Sequence, residues 1–249
     1  MKQVTVRAYG PLSDFLPPGR QQAAFAHAFE GRESVKDLVE GLGIPHPEID
    51  LILVSGEPVA FDYVVQDGNR IAVFPRFESV NIDGVTFVRP PPEALRFGLD
   101  GHLGKLARYM RLVGLDAECR VDASDDDIAE LAVRDGRIVL TRDRGLLKRR
   151  VVSHGYWMRA TAPRQQLVEV LHRFGPTLAP FTRCLRCNTE LREVPKSSVE
   201  SRLEPRTRQS YQRFHECPGC RRIYWAGSHW QRLPRLVEST RLEADTCAS

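Results

Sequence analysis

The stretch LDGHLGKLARYMRLVG (residues 99–114) places a carboxylate directly after a short apolar run and follows it with cationic side chains. Asp100 ends the run, and Lys105 and Arg108 lie on a predicted amphipathic helix. The apolar residues at helical spacing are Leu103, Leu106, Ala107, Met110 and Val113. An aspartate in this position is either a helix N-cap or a ligand for a hard cation beside phosphate-binding groups. This stretch alone leaves both interpretations open.

Two further aspartates occupy comparable positions. In RIVLTRDRGLL, an apolar strand predicted at 137–141 is followed within two residues by Asp143. In DASDDDIAELAVRDG, Asp125 lies at the start of a helix predicted at 125–135, where it or Ser124 can serve as the cap. Parallel strands place their carboxyl ends at one edge of a sheet, so Asp100 and Asp143 are expected to share a site. Asp125 is a third candidate.

Carboxylates gathered beside arginines are typical of a Mg²⁺ or Mn²⁺ site that acts on phosphate esters. Such an ion lowers the pKa of bound water and stabilises charge on the scissile phosphate. The cationic residues around these acids that are candidates for binding the phosphates of a nucleic acid are Lys105, Arg108, Arg142 and Arg144. The pattern predicts metal-dependent phosphodiester hydrolysis. The alternative is a non-catalytic RNA-binding or ribosome-associated module in which the acids only cap helices.

Four cysteines form two short turns, CLRC at 184–187 and CPGC at 217–220. Two such pairs predict a tetrahedral Zn²⁺ site made by Cys184, Cys187, Cys217 and Cys220, whereas a redox dithiol is the alternative for either pair alone. The 29 residues between the pairs predict a long inserted loop. Arg221 and Arg222 are further candidates for RNA contact. The neighbouring aromatic residues Tyr224, Trp225 and Trp230 either stack on bases or form the small core of a zinc ribbon.

Composition limits the broad class of the protein. The chain has 249 residues and a net charge of +4, distributed as −4 over residues 1–80, +3 over 81–182 and +5 over 183–249. A basic C-terminal third favours a polyanionic partner such as nucleic acid. The sequence shows no signal peptide and no membrane-spanning stretch, so we expect a soluble, cytoplasmic protein without a membrane partner.

Periodicity divides the chain into three predicted domains. Residues 1–80 show two strands, a helix at 34–43 and two further strands, in the order ββαββ. Three consecutive prolines in FVRPPPEA indicate a linker. Residues 93–180 alternate short strands and helices, which predicts a parallel sheet, and residues 181–235 contain the cysteine pairs. Since the acids and the cysteines lie outside residues 1–80, we expect the N-terminal domain to be dispensable for cleavage.

The motifs FGLDGHLGKLARYMRLVGLDAECR, SDDDIAELAVRDGRIVLTRDRGLL and CPGCRRIYWAGSHWQRL together resemble the Mut-seven C-terminal RNase family over about residues 93–235. The resemblance implies a PIN-like three-layer α/β/α nuclease domain with a parallel sheet, followed by a zinc ribbon. It places the catalytic acids on Asp100, Asp125 and Asp143. Related PIN-like proteins often carry another acid two residues after the third, where this chain has Gly145. The catalytic metal site is therefore expected either to bind one ion weakly or to need RNA to complete it.

The N-terminal motifs SVKDLVEGLGIP, VSGEPV and DGNRIAVFP resemble the ubiquitin-like β-grasp domains of MoaD- and ThiS-type sulfur carriers. Those carriers end in a free Gly-Gly tail, whereas this chain continues through PRFESVNIDG. The departure argues against sulfur-carrier chemistry. It leaves either an accessory domain or a docking domain for a protein partner.

Overall fold

The computed structural model describes residues 1–76 and 87–227. The chain forms two compact units, the first made of Met1–Glu93 with Asp143–Trp157 and the second of Ala94–Arg142 with the chain from Met158 onward. The sequence had assigned residues 143–157 to the nuclease domain at 93–180. None of the described helices is long and apolar enough to cross a bilayer.

The strands and helices follow the predicted periodicity closely. In the first part of the chain they are β1 (Lys2–Ala8), β2 (Phe25–Phe29), α1 (Val35–Gly41), β3 (Leu51–Val54), β4 (Glu57–Pro58) and β5 (Arg70–Phe74). Next come β6 (Arg96–Leu99), α2 (Gly104–Leu112), β7 (Asp116–Cys119), α3 (Asp125–Asp135), β8 (Ile138–Thr141), α4 (Arg144–Leu147) and β9 (Gly155–Trp157). The last are α5 (Pro163–Phe174), β10 (Arg192–Val194), α6 (Lys196–Val199), α7 (Pro205–Ser210), β11 (Phe214–Glu216) and β12 (Ile223–Trp225).

The first unit contains a mixed sheet in the order β2–β1–β5–β3–β4. Strands β1 and β5 are parallel, and the other neighbouring strands are antiparallel. Val4, Val6 and Ala8 alternate with exposed residues along β1 and are buried in the core. Ser34 caps α1 by accepting a hydrogen bond from the Asp37 N–H (3.1 Å). The predicted ββαββ order is present, with β4 as an additional two-residue strand.

Residues 143–157 pack on the N-terminal part of the first unit. The Arg144 guanidinium lies 5.1 Å from the ring centre of Phe15 and 4.3 Å from that of Trp157. The Trp157 N–H donates to Glu48 Oε1 (2.5 Å), and the Glu48 side chain is fully buried. Helix α4 and strand β9 therefore contact side chains of the N-terminal domain, although they lie far from it in sequence.

The second unit is built on parallel strands in the order β7–β6–β8, each four residues long. Phe97, Leu99, Ile138 and Leu140 are buried in it. Helix α3 begins at a Ser124 cap and ends at Gly136, whose φ of 60° is the left-handed conformation that glycine adopts without a steric penalty. This arrangement places the loops after β6 and β7 at one end of the sheet.

The C-terminal part of the second unit has an antiparallel sheet in the order β10–β11–β12. Val199, Leu203 and Phe214 form its small core, and Tyr211 and Trp225 pack against it. The interval between the cysteine pairs was predicted to be a long loop. It contains β10, α6, α7 and β11, because apolar residues spaced along it supply this core.

Candidate active site and cysteine cluster

Asp100 lies immediately after β6, and both of its carboxylate oxygens accept hydrogen bonds. Oδ2 accepts from the Thr141 hydroxyl (3.0 Å) and Oδ1 from the His102 N–H (3.3 Å). Thr141 is fully buried at the end of β8, and the Asp100 N–H donates to the Leu140 carbonyl (3.1 Å). The ends of β6 and β8 therefore meet at Asp100, whose carboxylate keeps lone pairs available for a cation.

The loop carrying Asp100 touches the loop that leads to Asp125. A Cβ atom on Gly101 would lie 2.5 Å from the Val121 carbonyl oxygen, so the close approach of the two backbones requires glycine. Asp125 begins α3, but Ser124 and Asp127 form its capping box, with the Ser124 N–H donating to Asp127 Oδ2 (2.8 Å). The capping role that the sequence left open for Asp125 is thus carried by its neighbours.

Asp143 lies two residues after β8 and belongs to the first unit. It caps α4, since its Oδ1 accepts a hydrogen bond from the Gly145 N–H (2.6 Å). At Gly145, where the chain departs from the resemblance described above, a Cβ would lie 3.1 Å from Asp143 Oδ1. Arg142, beside it, is exposed. The Arg144 guanidinium contacts the rings of both Phe15 and Trp157, which the sequence did not predict for a candidate RNA-binding residue.

Helix α2 has a cationic outer face. Lys105 and Arg108 are exposed, as the sequence predicted, whereas Arg111 points inward and is only 5% exposed. The Arg111 Nε donates to the Ala117 carbonyl (2.8 Å), and burial lowers the pKa of its guanidinium. The helix therefore offers two cations to solvent and uses the third inside the unit.

The four predicted cysteines come together. Their Sγ atoms all lie within 4.8 Å of one another, with 3.4 Å between Cys187 and Cys217 and 3.5 Å between Cys184 and Cys220. A tetrahedral ion with bonds of about 2.3 Å would hold its sulfurs roughly 3.8 Å apart, so the donor set fits zinc in type and size. Among the described residues, no other group of three or more potential ligands is gathered in this way.

The two cysteine turns have the same backbone pattern. The Cys184 N–H donates to the Thr189 carbonyl and the Cys217 N–H to the Arg222 carbonyl, both at 2.9 Å. The residue that follows each turn, Asn188 or Arg221, has a positive φ of 63° or 60°. This repeated geometry aims two sulfurs from each turn at one point, as a structural metal site requires.

The cysteine thiols differ in acidity. Burial opposes ionisation of Cys187, but hydrogen bonds from Thr189 outweigh it and lower the pKa of that thiol to about 6. Burial and the neighbouring sulfurs raise the pKa of Cys220 to about 12, and burial also raises the pKa of Cys217. Without a metal the cluster therefore holds a mixture of thiolate and thiol.

The cationic and aromatic residues near the turns have more local contacts than the sequence suggested. Arg221 pairs with Glu216 (3.2 Å), and Arg222 is exposed. The Tyr224 hydroxyl lies 3.1 Å from Cys184 Sγ, and Trp225 packs on the small core. These contacts favour a structural role for Tyr224 and Trp225 in the predicted zinc ribbon over base stacking. Trp230, also a candidate for base stacking from the sequence, lies outside the described residues.

Three residues that position these sites were not identified as such from the sequence. These residues are Thr141, Arg111 and Asn188. Arg111 bonds the carbonyls of Leu185 (3.2 Å) and Arg186 (2.9 Å), far away in sequence. A local sequence pattern does not reveal partners so distant in sequence. The one available signal was the position of Arg111 on the apolar side of α2, which indicates a buried cation with partners inside the protein.

Comparison with known proteins gives two family matches. Residues 95–237 match the family model described as "Mut7-C RNAse domain", and residues 1–81 match the one described as "Mut7-C ubiquitin". The match confirms the resemblance drawn from the sequence motifs and the ubiquitin-like reading of the first 80 residues. Neither the curated proteins nor the solved structures contain a match to this chain.

Proposed function

The chain belongs to the Mut7-C RNase domain family, and from this premise we propose that it is a metal-dependent ribonuclease that hydrolyses RNA phosphodiester bonds. The observation that carries the proposal is the carboxylate of Asp100, held at the joined ends of β6 and β8 by Thr141 and His102. A buried strand end that presents a fixed carboxylate is a suitable place for a hard cation.

We assign the catalytic acids to Asp100, Asp125 and Asp143, and the fold around them to the PIN-like α/β/α type. Mg²⁺ or Mn²⁺ bound by these carboxylates would supply an activated water and charge stabilisation at the phosphate. Asp125 is free of the capping role, and Asp143 uses one oxygen for its cap. Gly145 supplies no fourth carboxylate, which supports weak binding of a single ion completed by the RNA itself.

RNA contact is assigned to the exposed cations Lys105, Arg108, Arg142 and Arg222. Arg144 and Arg221 were predicted to join them, but their ring and ion-pair contacts support a structural role first. The four cysteines are assigned to one structural Zn²⁺ in a zinc ribbon, because soft thiolates in a tetrahedral set favour that ion. For the ubiquitin-like domain we propose a protein partner.

The rival function is RNA binding without cleavage, with the aspartates serving only as helix caps. The test uses full-length, zinc-loaded protein and a labelled mixed RNA pool, with and without added Mn²⁺ or Mg²⁺. The nuclease proposal predicts shortened RNA only when the second metal is added. Intact RNA that is bound by the protein at every metal concentration would favour the binding module.

A further inference from the structure

The first cysteine turn is hydrogen bonded to the edge of the parallel sheet. Asn188 directly follows Cys187, is only 6% exposed, and presents both ends of its side-chain amide to β7. Its Oδ1 accepts from the Ala117 N–H (3.1 Å), and its Nδ2 donates to Asp116 Oδ1 (2.7 Å). The side chain thus satisfies a backbone group on the outer side of an edge strand, which a further strand would otherwise pair.

Arg111 joins the same turn to α2. Its Nη1 donates to the carbonyls of Leu185 and Arg186, the two residues between the cysteines, while its Nε donates to Ala117 on β7. One buried guanidinium therefore links three elements: the helix that carries it, the edge strand and the cysteine turn. Only the planar, multiply donating head of arginine can do this.

The contacts continue from β7 to the strand that ends at Asp100. Asp116 Oδ1 also accepts from Arg137 Nη1 (2.6 Å), which donates in addition to the Phe97 carbonyl on β6 (3.2 Å). Burial opposes ionisation of Asp116, but the hydrogen bonds from Arg137 and Asn188 outweigh it and lower the pKa of the carboxyl. Partial burial of charged groups demands that each stays paired, so loss of one member disturbs the others.

The chain entering the first turn also packs tightly against the loop that follows α2. The Ala179 N–H donates to the Val113 carbonyl (2.9 Å), and a Cβ on Gly114 would lie 2.0 Å from the Ala179 carbonyl oxygen. Gly114 has a φ of 93°, so both its conformation and its surroundings exclude a side chain. The first cysteine turn is therefore anchored at both ends. Ala179, before the turn, packs on Val113 and Gly114, and Asn188, after the turn, bonds β7.

We propose that Asn188 and Arg111 are positioning residues that make the first cysteine turn part of the sheet edge, so that metal binding at the four cysteines orders β7 and, through Asp116 and Arg137, strand β6 and Asp100. The proposal rests on the proposed function for its effect on cleavage. Its effect on the sheet is independent of that function. The cysteine cluster then serves the catalytic domain directly, in addition to any RNA contact by the ribbon.

The test compares Asn188→Gly with Arg221→Gly in the full-length, zinc-loaded protein. Glycine tolerates the positive φ at both positions, so Asn188→Gly removes the two side-chain hydrogen bonds without backbone strain. Arg221→Gly makes the matching change in the second turn. Amide hydrogen exchange is measured at Ala117 and along residues 96–101, beside the zinc content of each variant.

We expect both variants to retain zinc, and the Ala117 amide to exchange about fivefold faster in Asn188→Gly, the change that loss of one net hydrogen bond produces. Exchange in Arg221→Gly stays at the wild-type rate. Removing zinc with a chelator speeds exchange in β6 and β7 of the wild type and has a smaller effect in Asn188→Gly, since only the Arg111 link between the turn and β7 remains in that variant. Wild-type exchange rates in Asn188→Gly, or β7 protection that survives zinc removal, would overturn the proposal.

Cleavage provides the second measurement. Asn188→Gly is expected to lower kcat while KM for RNA stays unchanged, because the exposed cations are untouched. Arg111→Lys, which keeps the charge but cannot reach all three carbonyls, should act in the same direction. An unchanged kcat in both variants would refute the extension to Asp100. If the wild type cleaves no RNA, the proposed function fails, and the exchange measurement still decides whether the turn orders the sheet.

Discussion

At Asp100 the capping contact that the sequence allowed is present, and it leaves lone pairs free for the metal that we propose. One carboxylate oxygen accepts from a backbone N–H at the start of the following turn, which is a capping contact, while the other accepts from the buried Thr141 hydroxyl. Capping and metal binding use different lone pairs, so they do not compete. Asp143 makes a similar capping contact, in which one carboxylate oxygen accepts a hydrogen bond from the Gly145 N–H.

Thr141 is predicted to hold the Asp100 carboxylate in place. Thr141→Val keeps the shape of the side chain but removes the hydroxyl, so we expect cleavage to fall by about 10- to 100-fold, as for other residues that orient a metal ligand. Thr141→Ser retains the hydroxyl and should retain most of the activity. The measurement is kcat for both variants in Mn²⁺, and equal activity in valine and serine variants would exclude this role.

Local sequence patterns were enough to select the aspartates, the basic residues and the cysteines as candidates. Two of the aspartates follow apolar runs and the third begins a predicted helix, while the basic residues lie close to these acids or to the cysteines, which form two C-x-x-C pairs. The patterns did not identify the partners of those residues. The contacts of Thr141 with Asp100 and of Asn188 with Asp116 join residues 41 and 72 positions apart, and they depend on strand order. Arg144 shows the converse, because a basic residue beside an acid was read as a phosphate contact, while the rings of Phe15 and Trp157 hold it.

At the scale of elements, helix α2 has one face buried in the second unit and an opposite, cationic face exposed to solvent. Lys105 and Arg108 face solvent, so Lys105→Ala with Arg108→Ala should weaken RNA binding without unfolding the helix. The slope of log affinity against log salt should flatten by about 1.4 for two lost contacts to single-stranded RNA. Arg134→Ala, on α3 and paired with Asp135, is the control. An unchanged slope in the double variant would remove α2 from the RNA-binding surface.

The cysteine cluster makes metal binding depend on pH. Cys217 and Cys220 have raised pKa values, the latter about 12, so both carry protons at neutral pH that a metal must displace. Zinc affinity should therefore fall as pH falls, by about tenfold per pH unit for every proton that the metal displaces. Competition with a chelator at two pH values measures it. An affinity that does not change with pH would show that the thiols are already ionised.

At the scale of the whole molecule, the predicted alternation of strands and helices is present, and the predicted domain limits differ from the compact units. The chain leaves the second unit after Arg142 and returns to it at Met158. Periodicity cannot show this, because α4 and β9 look like continuations of the same alternating pattern. Their side chains contact the ubiquitin-like domain, which the sequence treated as dispensable.

Phe15 is predicted to order the segment that begins at Asp143. Phe15→Leu keeps an apolar side chain but removes one of the two rings around Arg144. A partly desolvated cation–π contact contributes about 1 kcal/mol, so exchange of the Lys148 amide, which bonds the Arg144 carbonyl, should rise by roughly fivefold. Tyr9→Leu removes a ring stacked on Phe74 elsewhere in the same unit and serves as the control. Equal exchange in the two variants would contradict the prediction.

The most direct test of the proposed function is cleavage by Asp100→Asn and Asp143→Asn. The amide keeps the volume and most of the capping ability of aspartate, so stability should change by less than about 1 kcal/mol, but it lacks the charge that a hard cation needs. Each variant and the wild type are compared on labelled RNA in Mn²⁺, beside circular dichroism and an RNA-binding titration. The account predicts that both variants fold, bind RNA and fail to cleave it. Undiminished cleavage by both would contradict it.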